Sequence, residues 1–276
     1  MSDMEIHITD KLKVLVRSLA QTCRMPTLRQ KGAHFLCPIE STRYTEFAYL
    51  LRFIEELDAR PKRILDVSSP FELAYILSCG AEVVKTDINP YEGTRISPDK
   101  SLSFQEEDAT RLSFEDESFD LVYSISVIEH IYDGWQNAVR EMLRVLRPGG
   151  LLYLTFPVAP HKVEEWVDAP IYAHQNVRDG RVFFQYRFGP EEVAELQTGF
   201  DEAESVDLSI FWERREGAYD RTVKLLRRPI RQKLLLEFRK ALINLRAGFT
   251  LLDDLPADFS RARSFGNASL LMRKRA

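Results

Sequence analysis

Between residues 62 and 158, short apolar runs alternate with amphipathic stretches, and that alternation constrains the fold more than anything else in the chain. RILDV, AEVVKTDI, LSFQEED, SFDLVYSIS and LLYLTFPV read as five strands. PFELAYILSC, ending at Gly80, and GWQNAVREMLRVL, stopped by Pro148-Gly149-Gly150, read as helices between them. Strands separated by helices predict βαβ units, hence an α/β fold with a parallel sheet and right-handed crossovers. Such open sheets bind ligands outside the carboxyl ends of their strands. Here those ends carry Asp66, Asp87 and Asp108 in succession, and the fourth runs through Ser124 and Ser126. Caps and turns use Asp often, and one such residue alone would be structural. Three at matched positions read as a binding edge, because unpaired carboxylates are costly to bury. Asp87 follows Asp66 by 21 residues, about where an acid can accept from a ribose hydroxyl.

Composition narrows the setting. The 276 residues are 45% hydrophobic, with 38 Lys+Arg against 42 Asp+Glu, which excludes disorder and disulfide-stapled miniature folds. The net charge of −4 gives no global argument for nucleic acid. Cys23, Cys37 and Cys79 are an odd set without C-x-x-C spacing, so reduced thiols are expected. No apolar run reaches the roughly 18–20 residues of a membrane span, and no signal peptide is visible. A soluble cytoplasmic protein is expected. No histidine or cysteine cluster has metal-ligand spacing.

Flanking segments are less regular. Residues 9–22 place their apolar side chains near one helical stripe, and an irregular polar stretch follows to about Pro38. Ser41 or Thr42 can cap a second helix running toward Leu57. Residues 159–188 read as a long loop or lid containing His161, Trp166, Tyr172, His174 and the aromatic run VFFQYRF. A helix begins near Pro190, and ESVDLSIFW and ASLLMRKR read as the last strands. The expected organisation is a helical cap over 1–60, a core over 61–212 and 265–276, and a basic helical insertion over 213–264.

ILDVSSPFE, VVKTDINP, EEDATRLSFEDESFDLVYSISVIEHI and REMLRVLRPGGLLYLTFPV together resemble the class I S-adenosylmethionine-dependent methyltransferases, in the group with an LD(V/I)GxGxG-type first motif. The resemblance covers about 62–160 strongly and 185–212 weakly. It implies a Rossmann-like, seven-stranded, mostly parallel sheet with one antiparallel strand near the C-terminus. Helices would cover both faces, with a helical cap before the sheet and a helical insertion before the last strand. It also implies S-adenosylmethionine as cofactor, with Asp66 and Ser68 near its methionine end. Asp87 and Ile88 would meet the ribose, Asp108 and Ala109 the adenine, and Ser124 to Val127 the methionine side.

The first motif departs from the family. Ser68, Pro70 and Glu72 stand where three glycines are usual. Ser69 fits an N-cap, Pro70 the first helical position and Glu72 the far half of a capping box. An acidic turn lacking the Pro70 N–H repels phosphate and suits ammonium and sulfonium charges, which argues against NAD, FAD and P-loop ligands. The opposed reading is a non-catalytic adenosyl-binding or scaffold protein.

An alcohol acceptor benefits from a histidine base. His161 and His174 lie where an acceptor would enter, and His130 follows the fourth strand, where a packed helix-start histidine is the plainer reading. Arg43 can form a bidentate pair with the methionine carboxylate, and Tyr44 beside it can close over the cofactor. Methyl transfer to a small polar acceptor, a hydroxyl of a glycan or natural product, is the expected function. A nucleic-acid acceptor is disfavoured by the lack of an Asn/Asp-Pro-Pro-Tyr/Phe signature. Within the insertion, residues 213–246 hold eleven Lys/Arg against four Asp/Glu, a net of +7 that leaves −11 elsewhere. The segment reads as a helical cap or homodimer surface, with peripheral contact to an anionic membrane, or to a phosphorylated acceptor, as the alternative.

Overall fold

The computed structural model describes residues 4–168, 176–229 and 232–276. Three helices come first: α1 (Ile8–Ala20), α2 (Leu28–Leu36) and α3 (Arg43–Glu56). Then follow β1 (Arg63–Val67), α4 (Phe71–Leu77), β2 (Glu82–Asp87), β3 (Leu102–Glu106), β4 (Phe119–Ile125), α5 (Trp135–Val145) and β5 (Leu146–Val158). Beyond them lie β6 (Val163–Val167), β7 (Val177–Arg178), β8 (Arg181–Arg187), α6 (Pro190–Thr198) and β9 (Ala203–Trp212). The chain closes with α7 (Ala218–Arg227), α8 (Lys233–Thr250) and β10 (Gly266–Lys274).

Seven strands form one sheet in the order β3-β2-β1-β4-β5-β10-β9, and β10 alone runs antiparallel to its neighbours. The expected α/β architecture, its strand count and its antiparallel strand all hold. Strand alternation sends Ile64, Val83, Tyr123 and Tyr153 into a core under α3, α4 and α8. Leu65, Val84, Val122 and Leu154 enter a second core under α5 and α6. Among the described residues, no helix is long and apolar enough to cross a membrane.

Register places three polar residues side by side in the first core. Asp66 is aligned with Lys85 on β2 and with Tyr123 on β4. All three are fully buried. The Tyr123 hydroxyl donates to Asp66 Oδ2 at 2.7 Å, and the Ser69 amide donates to Oδ1 at 2.9 Å. Lys85 Nζ lies 3.6 Å from Asp66 Oδ1 and donates to the Ser69 carbonyl. Asp66 is thus spent on anchoring the sheet and the turn after β1, and its side chain does not line the cavity described below.

Other expectations need correcting. The stretch before Pro38 contains α2, whose start is a Thr27/Gln30 capping box. Within 159–188 lies a three-stranded antiparallel sheet, β6-β8-β7. Its β7–β8 turn is Asp179-Gly180, both at positive φ (52° and 74°), the pairing a two-residue hairpin favours. Ser69 does not cap α4: the helix starts at Phe71, after Pro70, with no side-chain cap. The Ser69 hydroxyl instead accepts from the Ile125 amide at 3.0 Å, tying the turn to β4. The insertion is two helices. α8 buries Ala241, Asn244, Ala247 and Gly248, and a Cβ at Gly248 would collide with the Tyr44 ring. Leu225, Leu235, Phe238, Leu242 and Leu245 are exposed, so most of its apolar stripe does not cap the core.

Removing one partner of a buried, hydrogen-bonded ion pair leaves the other charge uncompensated. Asp66→Ala should lower the unfolding free energy by about 3–5 kcal/mol in urea denaturation. A loss under about 1 kcal/mol, the usual worth of an exposed pair, would show that the cluster is not an anchor.

Candidate functional site

A cavity of about 630 Å3 opens at the carboxyl ends of β1, β2 and β4, within the ordinary range for small-molecule sites. The turn after β1 contributes Ser68 to Glu72, the end of β2 Asp87, Ile88 and Asn89, and the end of β3 Asp108 to Thr110. Ile125 to Val127 follow from β4, and His130, Ile131 and Tyr132 from the 3-10 turn beyond it. Ile39, Glu40, Arg43 and Phe47 close it from the helical side, and Asn176 and Phe183 from the small sheet.

The structure thus brings together Ser68, Asp87, Ile88, Asp108, Ala109, Ser126, Arg43 and His130. It leaves out Asp66, Ser124, Tyr44 and His161. Ser124 turns inward and donates to the Val67 carbonyl at 3.1 Å. Tyr44 is fully buried, its ring 5.2 Å from Phe249, with a hydroxyl that has no partner among the described residues. His161 is exposed between β5 and β6. His174 and Tyr172 lie outside the described residues. Glu72 lines the cavity, as the acidic first turn implies, together with Glu40 and Phe47, which the sequence reading does not place there. Of these, only Glu72, in the first motif, had a legible signal.

Local geometry accounts for these placements. Ser68 adopts φ +55°, the left-handed conformation for which glycine is usually chosen, and its amide donates to the Thr86 carbonyl at 3.0 Å. Asp87 Oδ1 accepts from the Asn89 amide at 2.8 Å. Burial raises its carboxyl above the ordinary value, with the Asn89 amide and Lys85 opposing. Asp108 spends one oxygen on its own turn, accepting from the Thr110 amide and hydroxyl at 2.8 Å each.

Arg43 and Ser126 are held by Glu46, which is fully buried. Glu46 accepts from Arg43 Nη1 at 2.7 Å, Ser126 Oγ at 3.0 Å, Thr155 Oγ1 at 2.7 Å and Asn267 Nδ2 at 3.0 Å. Four elements thereby converge on one carboxylate, and Arg43 Nε is left without a partner among the described residues. A guanidinium edge with unspent donor capacity fits a ligand carboxylate. Glu72 fits the opposite charge. Burial pushes its carboxyl up to about 7, with Glu40 adding to the rise and Arg95 and Lys85 opposing it. A cationic ligand group beside it would restore its charge. Carboxylate, ammonium and sulfonium are the charges of S-adenosylmethionine, and Asp87 offers an acceptor for its ribose. Among the described residues, no group of three metal-ligating side chains occurs.

Beside His130, Glu129 is buried, and its Oε2 has no partner among the described residues. Burial pushes its carboxyl up to about 8, Glu46 adds to this, and Arg43 opposes it. Because the folded value exceeds the unfolded one, the folded state holds a proton that unfolding releases between about pH 4.5 and 8. Stability attached to Glu129 is therefore present below about 4.5 and lost as pH rises through 8. Glu129→Gln should match wild type near pH 4.5 and become more stable by a few kcal/mol near pH 9, read by denaturant titration. A pH-independent difference would contradict the buried, protonated carboxyl.

A profile of the methyltransferase domain family matches residues 68–154. Phthiotriol/phenolphthiotriol dimycocerosates methyltransferase 1 of Mycobacterium ulcerans (strain Agy99) is 42% identical over 65 residues, 24% of this chain and 24% of that protein. 2-Methyl-6-phytyl-1,4-hydroquinone methyltransferase of Synechocystis sp. is 39% identical over 77 residues, 26% of this chain and 24% of that protein. The matched segments thus span about a quarter of the length of these relatives. Phosphoethanolamine N-methyltransferase 2 of Haemonchus contortus, solved with S-adenosyl-L-methionine, superposes with a TM-score of 0.51 at 14% identity, over 84% of this chain and 53% of that one. That likeness shows the fold. With the domain match, the parallel sheet and the cavity at its carboxyl edge, residues 68–154 are a methyltransferase domain of the class I kind, a family whose methyl donor is S-adenosylmethionine.

Proposed function

We propose that the protein methylates a hydroxyl of a small natural product with an apolar or aromatic body. The observation that carries this reading is the far wall of the cavity. There Tyr132 and Phe183 stand with ring centroids 4.9 Å apart, backed by Trp166 at 5.8 Å from Tyr132. Such a wall suits an acceptor with a flat apolar face, which can stack on the rings. The names of the two relatives are in keeping with an acceptor of that kind.

Bound S-adenosylmethionine supplies an electrophilic methyl group, so the protein's task is mainly alignment. Asp87 and Arg43 fix the two ends of the donor, and the aromatic wall holds the acceptor against it. His130 is the residue we assign as base. Its Nδ1 lies 2.6 Å from the Phe184 carbonyl, so that nitrogen carries the hydrogen, and Nε2, 3.9 Å from Glu129 Oε1, is the basic atom. Burial pushes the ring down to about 4, opposed by the Phe184 contact, so it is neutral at physiological pH. Nε2 takes the hydroxyl proton as the acceptor oxygen attacks.

The test is methyl transfer from methyl-labelled S-adenosylmethionine to phenolic, quinol and macrolide alcohols, with the methylated atom located by NMR. His130→Asn should lower kcat about a hundredfold while leaving donor binding intact. Asp87→Ala should weaken donor binding by about 1.5–3 kcal/mol, the worth of hydrogen bonds to a charged group. Because His130 stays neutral down to about 4, kcat at saturating S-adenosylmethionine, where the bound cation keeps Glu72 charged, should not fall as pH drops through 6.5. A protonation step near 6.5, or full activity in His130→Asn, would remove His130 from the role.

A further inference from the structure

We propose that the outer face of α2 and α8 docks on an anionic lipid bilayer. On α8, Leu235, Phe238, Leu242 and Leu245 recur at spacings of three, four and three, and each is 41–53% exposed. This is one helical stripe, set apart from the stripe of Ala241, Asn244 and Ala247 that meets the core. α2 adds Leu28 at 87% and Phe35 at 68% exposure. The two helices meet directly, with Asn244 Nδ2 donating to Cys37 Sγ at 3.4 Å just beyond α2. Exposed apolar side chains scattered singly are ordinary, but a stripe of four on one helix, with two more on a helix in contact with it, marks an interaction surface.

Charge identifies the occupant. Lys224, Arg227, Arg228 and Arg246 are exposed, and none pairs with a carboxylate among the described residues. They belong to the segment carrying +7 in a chain whose net charge is −4. Leu and Phe on one side with Lys and Arg beside them is the pattern of helices that lie in the plane of an anionic membrane. A second copy of this chain would bring a face carrying the same excess of positive charge against this one.

The position of α2 gives the surface a use. Its inner side reaches the cavity rim, where His34 lies 6.4 Å from Phe71 and Gln30 Nε2 donates to the Thr94 carbonyl at 3.2 Å. Phe71 and the neighbouring Ile39 and Arg95 line the cavity. A docked molecule would therefore hold its cavity close to the bilayer surface, where an apolar acceptor resides. That use rests on the acceptor class proposed above, whereas the docking itself does not.

Co-sedimentation with vesicles of phosphatidylcholine, with and without phosphatidylglycerol, tests the surface. The protein should pellet with anionic vesicles and stay in solution with neutral ones. Binding should fall about tenfold as NaCl rises from about 0.1 M to about 0.5 M, where the Debye length shrinks from about 10 Å to roughly 4 Å. Phe238→Ser with Leu242→Ser should lose binding at every salt concentration. Arg227→Gln with Arg228→Gln and Arg246→Gln should lose the salt-sensitive part. Leu255→Ser, equally exposed outside these helices, should bind like wild type. If the double serine variant melts early, Leu235→Ser reads the same face singly. Thermal melting and S-adenosylmethionine titration of each variant separate failure of docking from failure of the cofactor site. Wild type left in solution with anionic vesicles would overturn the proposal, as would salt-independent binding to neutral vesicles. So would a wild-type dimer in solution that the serine variants convert to monomer, or an acidic protein partner required for vesicle binding.

Discussion

The buried pairing of Asp66 with Lys85 and Tyr123 is the constraint on which the cofactor end of the molecule depends. Because the three are register neighbours on β2, β1 and β4, the pairing is built into the sheet. It reaches past the sheet through Ser69, whose amide and carbonyl are both engaged by it. The turn after β1 is thereby held from below. Methyltransferases of this group usually make this turn with glycines, whose use lies in left-handed backbone and close approach. Here a serine takes the left-handed position at φ +55°, at a cost on the order of 1–3 kcal/mol. The anchor beneath supplies the determination that such strain needs.

Glu46 plays the corresponding part on the helical side. It joins α3 to β5 and β10 through Thr155 and Asn267, and it aims Arg43 and Ser126 at the cavity. Ser126 is also left-handed, at φ +50°. Ser126 donates directly to the buried Glu46, and Ser68 is followed by Ser69, whose amide donates to the buried Asp66. The polar network that positions the binding groups is thus the same network that joins sheet to helices, so cavity shape and stability are coupled.

Much of the core was legible because hydrophobic periodicity reports secondary structure directly. The five strands of 62–158 and the strand-end positions of Asp87 and Asp108 came from pattern alone. The role of Asp66 was not legible, because its partner Lys85 becomes visible only when β1 and β2 are in register. Arg43 and Tyr44 show another limit. They are one residue and about 100° apart on a helix, so one faces the cavity and the other α8, and sequence gives no absolute phase. Two elements outside the regular pattern carry local signals of their own: Thr27-x-x-Gln30 before α2, and Asp179-Gly180 in the hairpin. Entry loops commonly carry catalytic groups, which points to His161, yet His130 lines the cavity and His161 is exposed to solvent.

The central claim is that a glycine-free, acidic first turn holds S-adenosylmethionine in this cavity. Calorimetric titration of the wild-type protein with S-adenosylhomocysteine, against NAD and ATP as phosphate-bearing adenosyl compounds, tests it most directly. The account predicts a single saturable site for S-adenosylhomocysteine and no heat of binding for the phosphates, which Glu72 and the missing Pro70 N–H disfavour. Tight binding of NAD, or no binding of S-adenosylhomocysteine by folded protein, would contradict it.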